Sequence, residues 1–201
     1  MARRHIKIRG VTNPTVLEAM QTVPRDRFIP ESYGDAAYGD YPLPIGCGQT
    51  ISQPSIVALM TDALGAGPGD RVLEVGTGSG YQAAALATLG CEVFSTEIIP
   101  ELAARAQTTL STLGYDVTVG NIDGYFGWAE HGPFDGIIVT AAVDHVPAAL
   151  IEQLAPGAAL VAPIGPVHAT QPLHRFTVDS NGDVHAENLA SVVFVPLTGD
   201  D

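Results

Sequence analysis

The sequence predicts an α/β fold: one doubly wound, mostly parallel sheet finished by an antiparallel C-terminal hairpin. Three observations carry this. From residue 71 onward, short apolar runs alternate with helical ones, the rhythm of strand–helix–strand units. One such run, with Val72, Leu73 and Val75, passes directly into Gly76-Thr77-Gly78-Ser79-Gly80, a tight glycine turn of the kind that joins a buried strand to a helix. Near the end, two extended stretches flank the turn signal Asn181-Gly182.

Taken in order, Asn13-Pro14 reads as an N-cap followed by proline at N1, opening a helix whose face is Val16, Leu17, Met20 and Val23, with Pro24 as its stop. Residues 25–48 carry Pro30, Pro42, Pro44 and four glycines, so they read as an irregular loop; its aromatics Phe28, Tyr33, Tyr38 and Tyr41 suggest a cover over a ligand cleft. A helix with Ile56, Val57, Leu59, Met60 and Leu64 follows, stopped by Gly65, with Ser52 as a candidate N-cap and Pro54 in the first turn. After the turn Pro68-Gly69-Asp70 come the glycine-turn strand, a helix over 81–89, a strand over 92–96, a helix over 100–113 and a strand over 117–119. A buried strand over 134–139, a helix over 146–154, a strand over 159–163 and extended stretches over 173–178 and 190–195 complete the chain. We read one domain over 1–201: an N-terminal helix and covering loops (1–65), a ligand-binding core (66–165) and a C-terminal hairpin (166–201).

Composition bounds the function. With 201 residues and 46% hydrophobic content, the chain suffices for one well-cored domain. The net charge of −13 is uneven: four of nine basic residues precede residue 10, and from there five basic residues face 22 acids. Such a surface repels phosphate, so nucleic acid is not an expected partner. No apolar run is long enough for a membrane span, and the basic start lacks a signal-peptide core, so a cytoplasmic protein is expected; a monomer is the expected state. Cys47 and Cys91 show no pairing pattern, and the six histidines are scattered without ligand spacing, so no metal site is expected.

The glycine turn on its own is shared by dinucleotide enzymes, methyltransferases and plain turns. Glu97, at the end of the next strand, stands where an acid accepts hydrogen bonds from a ribose diol. Glu74, just before the glycines, is costly beside a pyrophosphate but suits the amino group and sulfonium of S-adenosylmethionine, so the pair favours that cofactor over NAD. Asp123-Gly124 and Thr140 fall at the carboxyl ends of later strands, where open parallel sheets bind ligands.

Beyond these readings, Pro42-Leu-Pro-Ile-Gly46, Gln49-Thr50-Ile51-Ser52-Gln53-Pro54, the segment from Val72 to Tyr81, Asp123-Gly-Tyr125, Phe134-Asp-Gly-Ile-Ile-Val-Thr-Ala-Ala142 and Val195-Pro-Leu197 together resemble the protein-L-isoaspartate O-methyltransferase family. The likeness runs from Val16 to Leu197, and Thr-Ile-Ser-Gln-Pro is its most specific part. It implies a Rossmann-like class I S-adenosylmethionine-dependent methyltransferase. Such an enzyme transfers methyl to the α-carboxylate of L-isoaspartyl residues in damaged proteins and peptides, leaving S-adenosyl-L-homocysteine and starting repair through a succinimide. A relative acting on an aspartate of one dedicated peptide, or a non-catalytic cofactor-binding module, are the alternatives. The resemblance further implies that Ser52 orients the attacking carboxylate and that Glu97 binds the ribose hydroxyls. By the same likeness Asp123 takes the adenine amine, and Glu74, Gly76 and Gly78 line the methionine end. Thr77, Ser79, Gly80, Ile98, Gly124 and Thr140 complete the cofactor site, and Thr50, Ile51, Gln53 and Val195 face the peptide. Two departures stand out: Ile122 where the family usually has glycine, and Val193 where it often has arginine.

Overall fold

The computed structural model describes residues 3–166, 169–179 and 183–199. Its centre is a seven-stranded sheet whose strands, from one edge to the other, are β5 (Val117–Gly120), β4 (Glu92–Thr96), β3 (Arg71–Val75), β6 (Phe134–Val139), β7 (Leu154–Pro163), β8 (Gln171–Val178) and β9 (Val184–Val192). The first five run parallel, and β8 and β9 are antiparallel additions. The chain winds outward from β3 to one edge and then returns to β6 at β3's other side, so β3 and β6 flank the point where strand order reverses. Ligand clefts of doubly wound sheets form there.

Side-chain alternation divides the core between the two faces of the sheet. On β3, Val72 joins the cluster formed with α2 (Pro14–Thr22), α3 (Pro54–Leu64) and α4 (Tyr81–Thr88), whereas Leu73 and Val75 join Phe94, Ile137 and Leu150 on the opposite face. Glu74 therefore points to the same side as Val72, toward the α3–α4 layer, and its register partner on β4 is Ser95. α5 (Pro100–Thr112) packs its Leu102, Ala106 and Leu110 inward beside β5.

Helix ends follow the expected chemistry at several places. The Asn13 side chain accepts from the Thr15 N–H, Pro14 takes the first helical position, and Gly65 closes α3 at φ +74°. Ser52, however, is not a cap: Gln53 holds that position without a side-chain bond, and the carboxylate of Asp40, fifteen residues upstream of Ser55, accepts from the Ser55 N–H instead at 2.9 Å.

Three further expectations are corrected. Residues 25–48 are not an irregular loop. Two 3-10 segments, Arg25–Phe28 and Glu31–Tyr38, lead into β1 (Leu43–Gly46), which pairs antiparallel with β2 (Gln49–Ile51) through the turn Cys47-Gly48, both residues at positive φ. Pro44 is tolerated because this ribbon has only two strands and leaves one side of each without a ladder. The helix expected over 146–154 shrinks to α6 (Ala148–Glu152), since Pro147 sets its start and Leu154 already belongs to β7. The last strand lies at 184–192 rather than 190–195: an exposed edge strand needs no apolar alternation, and Val195, Pro196 and Leu197 after it line the cleft. The Asn181-Gly182 signal and His168 lie outside the described residues. A short first helix, α1 (Arg3–Ile8), has no counterpart in the sequence reading.

Candidate active site

At the carboxyl ends of β3, β4 and β6 lies a cleft of about 820 Å³, its open mouth included. The glycine turn forms its floor. Main-chain N–H groups of Gly76 and Thr77 both donate to the Thr96 carbonyl at 2.9 Å, which ties the turn to β4. A Cβ on Gly76 would stand 2.6 Å from Thr140 Oγ1, and Gly76 has φ +97°, so only glycine fits where Thr140 packs against the turn. Thr140 in turn donates its hydroxyl to the carbonyls of Val75 and Gly76. Gly124 closes the next corner, its α-carbon so near Thr96 and Val75 that a methyl group would not fit.

Glu97 is 7% exposed, and its two oxygens accept from the N–H groups of Gly78 (2.8 Å) and Ile99 (3.0 Å). A carboxylate offers about four lone-pair positions. Glu97 therefore braces the turn while retaining acceptor capacity toward the cleft that it lines.

Glu74 has a more demanding environment. It is 0% exposed, Oε2 accepts from the Ser95 hydroxyl at 2.5 Å, and Ser95 is in turn 2.5 Å from the Thr77 hydroxyl. Oε1 has no partner among the described residues. Burial pushes this carboxyl up to about 8; the nearby Glu97 charge adds to the rise, and the Ser95 hydrogen bond opposes it. Two neighbours share its condition: Tyr81 Oη and Gln82 Oε1, at the start of α4, are buried and unpartnered, and both residues line the same cleft. Buried polar atoms are normally hydrogen-bonded, so three orphans on residues that line one cleft point to a polar ligand.

The cleft is also lined by Thr50, Ile51 and Ser52 and by Val195, Pro196 and Leu197. Ser52 is half-buried, and its hydroxyl makes no hydrogen bond among the described residues. Its main chain is fixed: the Arg25 guanidinium, itself 0% exposed, donates from Nη2 to the carbonyls of Ser52 and Tyr41, each at 3.1 Å, and from Nη1 to that of Ala37. Arg25 also lies 5.8 Å from the centre of the Tyr81 ring.

Most of the expected site residues meet here: Thr50, Ile51, Ser52, Glu74, Gly76, Thr77, Gly78, Ser79, Glu97, Ile98, Gly124, Thr140 and Val195 all line the cleft. Three do not. Asp123 accepts from the Tyr125 N–H and lies against Gly199, next to Gly124, which lines the wall. Gly80, at φ +87°, starts α4 and packs against Leu110 and Ala106. Gln53 faces an adjoining groove and donates to Ser55 Oγ. The aromatic cover is not realised: Phe28 packs against Tyr81 and Tyr115 in the core, Tyr38 and Tyr41 are exposed, and none of the four aromatics lines the cleft. Sequence reasoning missed Arg25, whose only signal was a cation beside Pro24, and Gln82, which had none. Ile122 and Val193 are both exposed, and neither lines the cleft.

A glycine-floored cleft at the switch point, with an acid beneath the turn and another after the neighbouring strand, defines a Rossmann-like methyltransferase. The chain belongs to the protein-L-isoaspartate (D-aspartate) O-methyltransferase family, whose profile matches residues 1–201. Relatives named protein-L-isoaspartate O-methyltransferase include one from Gloeobacter violaceus, 51% identical over 98% of this chain and 97% of its own length. Another, from Nitrosococcus oceani, is 54% identical over 92% of this chain and 84% of its own. Among solved structures, a Plasmodium falciparum protein provisionally named a beta-aspartate methyltransferase of this kind, in complex with S-adenosyl-L-homocysteine, superposes with a TM-score of 0.82. It is 27% identical and covers 97% of this chain and 95% of its own.

The buried Glu74 makes folding stability depend on pH with a definite sign. Its carboxyl titrates higher in the folded state than in the unfolded chain, near 4.5, so the folded protein holds a proton that the unfolded one has lost. Its contribution is full below the lower value and is lost as pH rises to about 8, a swing on the order of 5 kcal/mol. Glu74→Gln is expected to melt close to the parent at about pH 5 and well above it at about pH 8.5. Parallel melting curves across that range would refute the buried, protonated carboxyl.

Proposed function

We propose that this chain transfers a methyl group from S-adenosylmethionine to the α-carboxylate of L-isoaspartyl residues in damaged proteins and peptides. The observation that carries the proposal is the continuity of one cleft from the glycine turn, with Glu74 and Glu97, to the Thr50-Ile51-Ser52 segment. Cofactor and acceptor can meet there without crossing solvent. Membership of the family and the likeness to relatives so named support the same reading.

S-adenosylmethionine supplies, when bound, a methyl group on a positively charged sulfur. The protein's part is binding, alignment and exclusion of water. Glu74, with its unpartnered Oε1, is the group that a ligand cation would hold ionised. Glu97 accepts from a ribose diol, the bare backbone of Gly76 and Gly78 admits the ligand closely, and Ser79, Ile98 and Gly124 border the remainder. Asp123, which caps the Gly124–Phe126 turn beside Gly124 of the cleft wall, is the group assigned to the adenine amine. An acceptor carboxylate is ionised at neutral pH and needs no base, so the rate rests on placing it in line with the methyl group. Ser52, on a main chain held by the buried Arg25, is suited to hold that carboxylate with its uncommitted hydroxyl. A cytoplasmic monomer is the setting we infer; among the described residues no helix is long and apolar enough to cross a membrane.

Two measurements test the proposal. A short peptide containing L-isoaspartate is expected to be methylated at least about a hundredfold faster than its L-aspartate counterpart, because a displacement of roughly 1 Å costs on that order. Equal rates would overturn the substrate assignment. Ser52→Ala is expected to lower single-turnover transfer by about a hundredfold while leaving stability within about 0.5 kcal/mol, since the side chain caps no helix. A stability loss with turnover intact would return Ser52 to a structural role.

A further inference from the structure

Beside Ser52 the cleft adjoins a second groove, and Thr50, Ser52, Thr140 and Val195 wall both. The groove continues past Pro42, Ile56 and residues 191–194 and includes Arg9, which follows α1. Among the described residues that line it, Arg9 is the one charged side chain, and none is a carboxylate. In a chain of net charge −13, a groove next to the reactive position with a cation and no acid is a local reversal of the surrounding field.

Arg9 is anchored rather than loose. Its Nε donates to Ser55 Oγ at 2.8 Å, and Ser55 is fully buried at the start of α3, held by Asp40 through its N–H and by the Gln53 amide through its hydroxyl. The two Nη groups make no hydrogen bond or ion pair with any described residue. Asp40 and His5 share an adjoining hollow with Arg9, and one Asp40 oxygen is already committed to Ser55. What remains is a guanidinium fixed at one nitrogen with its outer fork available, the geometry that receives a carboxylate through two parallel hydrogen bonds.

We propose that Arg9 is a specificity-determining residue: its Nη fork receives the carboxylate of an acidic side chain flanking the reactive residue of a bound peptide. This rests on the proposed peptide methylation at Ser52. A peptide with its reactive carboxylate at Ser52 lays neighbouring residues along the groove at about 3.3 Å each, so one position a few residues away meets Arg9. The enzyme therefore selects acidic neighbours over basic ones although its own net charge works in the opposite direction.

The test uses fluorescently labelled heptapeptides with central L-isoaspartate and Glu, Gln or Lys at each of the three positions on either side. Affinity is read by anisotropy and methyl transfer by initial rate. At one position Glu is expected to bind about tenfold more tightly than Lys, with Gln between them, and the preference should shrink at 0.5 M NaCl. Arg9→Gln is expected to bring the ratio within about twofold, and Arg9→Lys to keep part of it, with melting temperature showing that each variant is folded. An unchanged Glu-to-Lys ratio in Arg9→Gln, or no charge preference in the parent at any position, overturns the assignment. The two readings fail separately: charge-selective binding without methyl transfer would refute the reaction and leave Arg9 standing, while transfer indifferent to flanking charge would refute Arg9 alone.

Discussion

A carboxyl group sealed beneath a glycine turn is the constraint on which this site depends. Glu74 is fully buried with one oxygen held by Ser95 and the other unpartnered at the cleft wall. Desolvation of that kind is costly unless a proton or a cation compensates it. The protein supports the arrangement by a Glu74–Ser95–Thr77 chain of hydroxyls that links β3, β4 and the turn itself. The same turn is tied to β4 through Thr96 and to Glu97 through Gly78, so the buried acid, the bare backbone and the second acid form one rigid unit.

The Ser52 segment is held by a different device. Arg25 is a buried cation that bonds three carbonyls, one of them that of Ser52, and so fastens the 3-10 segment, the residues before β1 and the end of β2 to a single point. Three carbonyl oxygens take three of the guanidinium's five donors without a counter-ion, and Nε has no partner among the described residues. The cleft is thus set by two buried titratable groups, a carboxyl with one oxygen unpartnered and a guanidinium held by the backbone through its two Nη groups. Tyr81 connects them, lining the cleft while its ring lies beside Arg25.

Much of this was legible in the sequence. The strands over 92–96 and 134–139 match their expected limits, because parallel strands buried on both faces read as apolar runs with clear ends. The glycine turn, Glu74 and Glu97 were legible because each residue type does something that few others can. What escaped depends on contacts distant in sequence. Asp40 replaces Ser52 as the cap of α3 across fifteen residues, and Arg25 reaches Ser52 across twenty-seven. The β1–β2 ribbon was hidden by its prolines, and β9 by the polar side chains an exposed edge allows. Asp123 was legible from its position just past a strand, at the carboxyl edge of the sheet, and its local hydrogen bond to Tyr125 caps the turn beside the cleft.

If Glu74 is the element that a cationic ligand must ionise, S-adenosylmethionine binding has to expel its proton. Calorimetric titration at about pH 7, repeated in buffers of different ionisation enthalpy, counts the protons released. With the carboxyl at about 8, roughly nine-tenths of one proton is expected at that pH, falling toward zero above about pH 9 and absent in Glu74→Gln. Binding heats that do not depend on the buffer, or a release that persists in Glu74→Gln, would contradict the account at its centre.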